Sequence, residues 1–80
     1  MNTAGSTEVT LESGVYLIVT AKAATDANNN DGLYIVRSHN IKSSIRAVQS
    51  ADAVSLSIDG GTLSITTTVT YITVSILRLL

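Results

Sequence analysis

The chain has no cysteine and a single histidine. Neither a disulfide nor a thiolate metal cage can therefore reinforce it, and one imidazole cannot build a zinc site within one chain. Charge is scarce too, at 14% of residues against a usual share of about 25%, so part of the surface must be uncharged. The basic residues Lys22, Arg37, Lys42, Arg46 and Arg78 are scattered through a chain of net charge −1, which leaves no electrostatic footprint for nucleic acid. Tyr16, Tyr34 and Tyr71 are the only aromatics, too few for a base-stacking platform. The first dozen residues are polar and lack the basic start and apolar run of a signal peptide. The longest apolar stretches, VYLIV and ITVSILRLL, fall far short of the roughly 20 residues of a membrane helix, so no membrane insertion is expected.

What is present is hydrophobic, 45% of 80 residues. A chain this short forms at most one domain and buries only about 60% of the surface it exposes when unfolded. Small domains compensate with disulfides, metals or oligomerisation; with the first two excluded, oligomerisation remains.

The apolar residues alternate with period two and show no helical periodicity. Residues 7–12 place Val9 and Leu11 on one side and Glu8, Thr10 and Glu12 on the other. Residues 15–22 are apolar on both faces, with Val15, Leu17 and Val19 assigned to the core and Tyr16 and Ile18 to the opposite side. This strand is expected beside the last one. The Asn- and Asp-rich stretch 23–32 reads as a loop. Residues 33–38 and 41–48 are the next strands, the latter with Ile41, Ile45 and Ala47 inward and Lys42, Ser44 and Arg46 outward, joined by a tight turn at His39 and Asn40. After a connection at 49–53 comes the strongest local signal, strands 54–58 and 62–67 around Gly60-Gly61. A two-residue turn there opposes Ile58 to Leu63, Leu56 to Ile65, Val54 to Thr67 and Ser57 to Ser64, whereas a one-residue slip would oppose apolar to polar throughout.

The closing stretch 70–80, TYITVSILRLL, is apolar on both faces. Ile72, Val74, Ile76 and Leu80 share one side with Arg78, and Tyr71, Thr73, Ser75, Leu77 and Leu79 share the other. Ile72, Val74 and Ile76 are assigned to the core, with Arg78 escaping to solvent. The second set, with Tyr16 and Ile18, is assigned to contact with copies of the same chain. Seven short strands without proline predict an all-β, compact antiparallel two-sheet β-sandwich, jelly-roll-like and homotrimeric. Residues 1–6 are expected to be a flexible lead-in from an upstream shaft, and residues 7–80 the single domain.

No catalytic constellation is found. His39 sits in a predicted turn with no nucleophile motif around it, and no carboxylate pair is placed for hydrolysis. Asp26, Asn28 and Asn30 imitate the spacing of a calcium loop, but the glycine comes one residue late at Gly32 and the twelfth position is Arg37. No enzyme activity, cofactor or metal is expected. Asn and Asp side chains do suit hydrogen bonds to sugar hydroxyls, which makes Asn28, Asn29, Asn30, Asp31, His39, Asn40 and Asp59 the candidate ligand-binding residues.

Taken together, ESGVYLIVT, NNNDGLYIVRS, VSLSIDGGTLSITT and TYITVSILRLL resemble the small β-sandwich domains at the C-terminal tips of bacteriophage tail fibres and receptor-binding proteins. Those domains are similar in turn to trimeric jelly-roll knobs of the tumour-necrosis-factor and complement-C1q type, in which a C-terminal strand lies against the three-fold axis. The resemblance implies a homotrimer at the tip of a fibre on the virion, recognising a bacterial surface saccharide or protein receptor. A purely structural trimerisation cap that ends a fibre or decorates a capsid is the alternative. Antiparallel strand order then places residues 13–14, 39–40 and 59–61 and the C-terminus at the end away from the N-terminus, and the Asn-rich loop at the other.

Overall fold

The computed structural model describes residues 1–22 and 31–80. These form seven strands: β1 (Gly5–Thr10), β2 (Gly14–Lys22), β3 (Gly32–Ser38), β4 (Ser44–Gln49), β5 (Val54–Asp59), β6 (Thr62–Thr67) and β7 (Ile72–Arg78). They make two antiparallel sheets, a three-stranded one in the order β1-β6-β5 and a four-stranded one in the order β4-β3-β2-β7. The expected all-β sandwich is therefore the observed architecture, and β2 does lie beside the last strand. β7 returns to lie beside β2 only after β5 and β6 have been placed in the other sheet.

Three crossovers tie the sheets together. The connections β1 to β2, β4 to β5 and β6 to β7 each pass between sheets, the first at one end of the sandwich and the other two at the end near Met1. The β6 to β7 connection turns on Tyr71, whose φ of 59° is a left-handed backbone conformation that costs a bulky side chain on the order of 1–3 kcal/mol. The β5–β6 hairpin has the register deduced from its turn, with Ile58 opposite Leu63, Leu56 opposite Ile65, Val54 opposite Thr67 and Ser57 opposite Ser64. Gly60 supplies a positive φ of 57° at the first central position, as a type II′ turn requires.

The core lies between the sheets. Tyr16, Ile18, Tyr34, Val36 and Ile72 from the four-stranded sheet meet Val54, Leu63 and Ile65 from the other, with Leu11 and Ala51 closing its ends. The polar tips of the buried tyrosines are satisfied, as burial demands. Tyr16 donates to the Glu12 carbonyl at 2.9 Å and Tyr34 accepts from the Ala51 N–H at 2.9 Å.

Several face assignments are overturned. Tyr16 and Ile18 are core residues, 6% and 0% exposed, not contacts to other copies. Val15 and Leu17 are half-buried on the outside, and Val19 is exposed there. The cause is register: Ile18 faces Ile76 and Thr20 faces Val74, so β2 and β7 must turn those residues to one side; Ile72 and Val74 pack on the core as expected, whereas Ile76 and Leu80, towards the end of the sandwich, are exposed. On the fourth strand only Ile45 packs on the core; Ile41 and Ala47 are exposed, Ile41 because it precedes the strand. Tyr71 precedes β7 and so falls outside its alternation. Residues 1–6 are not merely a lead-in, since β1 begins at Gly5, and Met1 packs against the core and accepts a hydrogen bond from the Ile72 N–H at 3.0 Å. Arg78 is the escape anticipated. It lies opposite Tyr16, folds over that ring with 5.8 Å to the centroid, and reaches the Glu12 carboxylate at 3.3 Å and the Ser13 carbonyl at 2.8 Å. Both ion-pair partners are largely solvent-exposed, so the fold depends little on this pair.

Two substitutions test this packing. Thr67 is buried and its hydroxyl finds no partner among the described residues. Thr67→Val removes that unmatched group and is expected to raise stability by about 1 kcal/mol, read as a thermal midpoint higher by a few degrees. Gly14 has the opposite sensitivity, because a Cβ there would stand 2.3 Å from the Leu80 carbonyl oxygen. Gly14→Ala is expected to cost about 1–3 kcal/mol and to speed amide exchange at Val15, whose N–H is bonded to that oxygen at 3.1 Å; unchanged exchange would refute the clamp.

Candidate functional site

The outer face of the four-stranded sheet is built from the residues that β2, β3 and β7 do not send inward. Pairing sets them in rows across the sheet. Leu77, Leu17, Ile35 and Arg46 form one row, and Ser75, Val19, Leu33 and Gln49 form the next towards Met1. On the other side Val15 stands opposite Arg37, which faces Ser44 on β4, and Leu79 joins that row through its N–H bond to the Val15 carbonyl at 2.7 Å. The β7 and β2 side is aliphatic, while the β4 side carries Arg46 and Arg37. Leu77 and Leu79 are 58% and 48% exposed. Such a contiguous apolar patch marks an interaction surface on a small protein, unlike scattered single apolar residues. Of the residues assigned to contacts between copies, Thr73, Ser75, Leu77 and Leu79 point to this side and are exposed.

The second feature is the end of the sandwich furthest from Met1. Here the Leu11 N–H bonds the Gly61 carbonyl at 2.7 Å and the Val15 N–H bonds Leu80, so the β1–β2, β3–β4 and β5–β6 connections and the C-terminus gather together. The β3–β4 connection spans residues 39–43, longer than the two-residue turn expected. His39 organises it as a turn residue. Its Nδ1 accepts from the N–H groups of Ile41 at 3.1 Å and Lys42 at 3.4 Å. Ser43 anchors it, since Oγ accepts from the His39 N–H at 2.9 Å and directs its one proton to the carbonyls of His39 and Gly60. Two shallow depressions open beside the loop, of about 320 Å³ and about 370 Å³. The first is bounded by Arg37, His39, Lys42, Ser43 and Ser44. The second shares Arg37 and His39 with it and runs to Arg78 and Leu80.

The candidate ligand residues are divided. His39, Asn40 and Asp59 belong to the gathered end, where Gly60 lies against the Asn40 carbonyl. Asp31 is exposed at the opposite end, its carbonyl accepting from the Gln49 side chain at 2.9 Å, and Asn28, Asn29 and Asn30 lie outside the described residues. No group of three or more His, Cys, Asp or Glu residues with metal-holding geometry occurs among the described residues. Arg37, Lys42 and Ser44 were not singled out from sequence as ligand contacts. The available signal was alternation, which sends Arg37 and Ser44 to the same side as the His39 loop. No family model matches the chain, and neither a curated protein nor a solved structure matches it.

Proposed function

We propose that this chain is a non-enzymatic, self-associating tip module of a bacteriophage fibre, in which copies pack through the outer face of the four-stranded sheet as a homotrimer and the loops at the end away from Met1 meet the bacterial surface. The observation that carries the assembly is the aliphatic strip Leu77, Leu79, Leu17, Val15 and Val19. It is uncharged, lies in a chain short of charge, and leaves apolar area in water that a second copy would cover. Four strands spaced about 4.8 Å apart and seven residues long span roughly 400 Å² in plan, a face that the two neighbours in a ring of three would share. The fibre and its host come from the resemblance of the strand and turn pattern. The gathering of His39, Asn40 and Asp59 at the end opposite Met1 supports a loop site there.

A purely structural cap is the second reading. The division of the candidate ligand residues between the two ends favours it, because a single ligand cannot bridge them. Labelled protein that binds susceptible bacteria and loses binding on substitution of His39 or Asp59 supports the receptor-binding module; an intact assembly that binds no cell supports the cap.

Leu77→Lys is the test of assembly. The side chain is exposed in the protomer, so the fold is expected to survive while like charges meet across the symmetry axis. Sedimentation at micromolar concentration should find the wild type as a trimer and the variant as an 8.4 kDa monomer, with Ser57→Lys, on the outer face of the other sheet, still trimeric. A monomeric wild type, or an unaffected Leu77→Lys assembly, refutes this face.

A further inference from the structure

We propose that the depression bounded by Arg37, His39, Lys42, Ser43 and Ser44 is an oxyanion site, taking the carboxylate or phosphate of an acidic saccharide. This deepens the receptor-binding reading, but the argument stands on the lining itself.

The free side chains of that lining are rich in donors and include no carboxylate. Arg37 offers its guanidinium fork and Lys42 its ammonium, and neither has an ion-pair or hydrogen-bond partner for its side chain among the described residues. Ser44 faces Arg37 across the β3–β4 pair, bringing a hydroxyl beside the guanidinium on the same face. The His39 ring is fixed by its turn. Because Nδ1 accepts two backbone N–H groups, the neutral ring carries its proton on Nε2 and presents a donor there. Ser43 spends its hydroxyl on the loop, so it shapes the site without contributing to it.

No carboxylate bounds the depression. Glu12 is paired with Arg78. Asp59 is exposed and alternates with the inward Leu56 and Ile58, on the outer face of the other sheet. A site for neutral sugar hydroxyls mixes acceptors with donors, since each hydroxyl both gives and takes a hydrogen bond. A lining with two cationic donors and no carboxylate instead matches an oxyanion with charge-assisted bonds. Nucleic acid is a poor match, because the site has two cations in a chain of net charge −1 and no stacking aromatic. The protein fixes the anion's place with a loop tied at both ends, by Ser43 to the Gly60 turn and by the Ser38 hydroxyl to the Leu11 carbonyl at 3.2 Å.

The test is a nitrogen-15 amide titration with inorganic phosphate, D-glucuronate and D-glucose at fixed ionic strength. Phosphate or glucuronate should move the amides of residues 39–44 saturably, and glucose should leave them in place. Arg37→Gln with Lys42→Gln should weaken the response about ten-fold or more, with the amide spectrum of the strands preserved because neither side chain is tied into the fold. A response to phosphate alone assigns a phosphoryl group, and to glucuronate alone a carboxylate; either supports the site. No saturable response to either anion, an unweakened double variant, or an equal response to glucose overturns it. Repeating the titration on Leu77→Lys separates this result from assembly, and parallel cell binding separates it from the receptor reading.

Discussion

One strand decides what the rest of the molecule can do. β2 is bonded on both sides, to β3 and β7, and is apolar on both faces, yet a two-layer sandwich has only one interior to offer it. The face that goes in carries Tyr16, Ile18 and Thr20; the tyrosine enters because its hydroxyl has the Glu12 carbonyl waiting at the strand's start. Val15, Leu17 and Val19 are then left outside. Because pairing transmits facing from strand to strand, the same choice puts Ile72 and Val74 inside and Leu77 and Leu79 outside. The exposed strip is thus the unavoidable other half of how the core is filled.

The two margins of that sheet are managed differently. β4 carries a register irregularity opposite Leu33 and Tyr34 and bears Arg46, both devices that discourage pairing with another strand. β7 has one charge, Arg78, and it is folded back over Tyr16. Charge and irregularity therefore stand on the β4 side and bare aliphatic surface on the β7 side, so the face has a direction. Under the proposed assembly the β7 side turns to the other copies, and Arg37, with the His39 loop, turns outward.

Where the sequence was legible, a local geometric demand and the apolar pattern agreed. The Gly60-Gly61 turn fixed a register that alternation independently required, so every pair of the β5–β6 hairpin was readable. The adjacency of β2 and β7 was readable as two doubly apolar strands in need of the same central position. The facing of β2 was not, because alternation divides residues into two sets without naming the inner one, and Val15, Leu17 and Val19 look more like core than a set containing a tyrosine. Only the register against β7, a non-local fact, decides between them. The His39 loop was legible as a turn but not in its length, since its closure depends on Ser43 reaching a carbonyl 17 residues away in sequence. The donor lining of the loop site was hidden for the same reason, being assembled from one strand, one loop and the start of another strand.

The last strand also joins the two ends of the described chain. The Ile72 N–H is bonded to Met1 at 3.0 Å, and Leu80, just past the other end of β7, accepts from Val15 at 3.1 Å; seven residues of strand separate these ties by about 20 Å. A pull applied between Met1 and Leu80 thus runs along the strands. It drags β7 lengthwise past β2, loading the whole ladder from Tyr16–Arg78 to Lys22–Ile72 in shear, where the bonds must yield together and not one after another. The sandwich is strung so that tension along its length meets its greatest resistance.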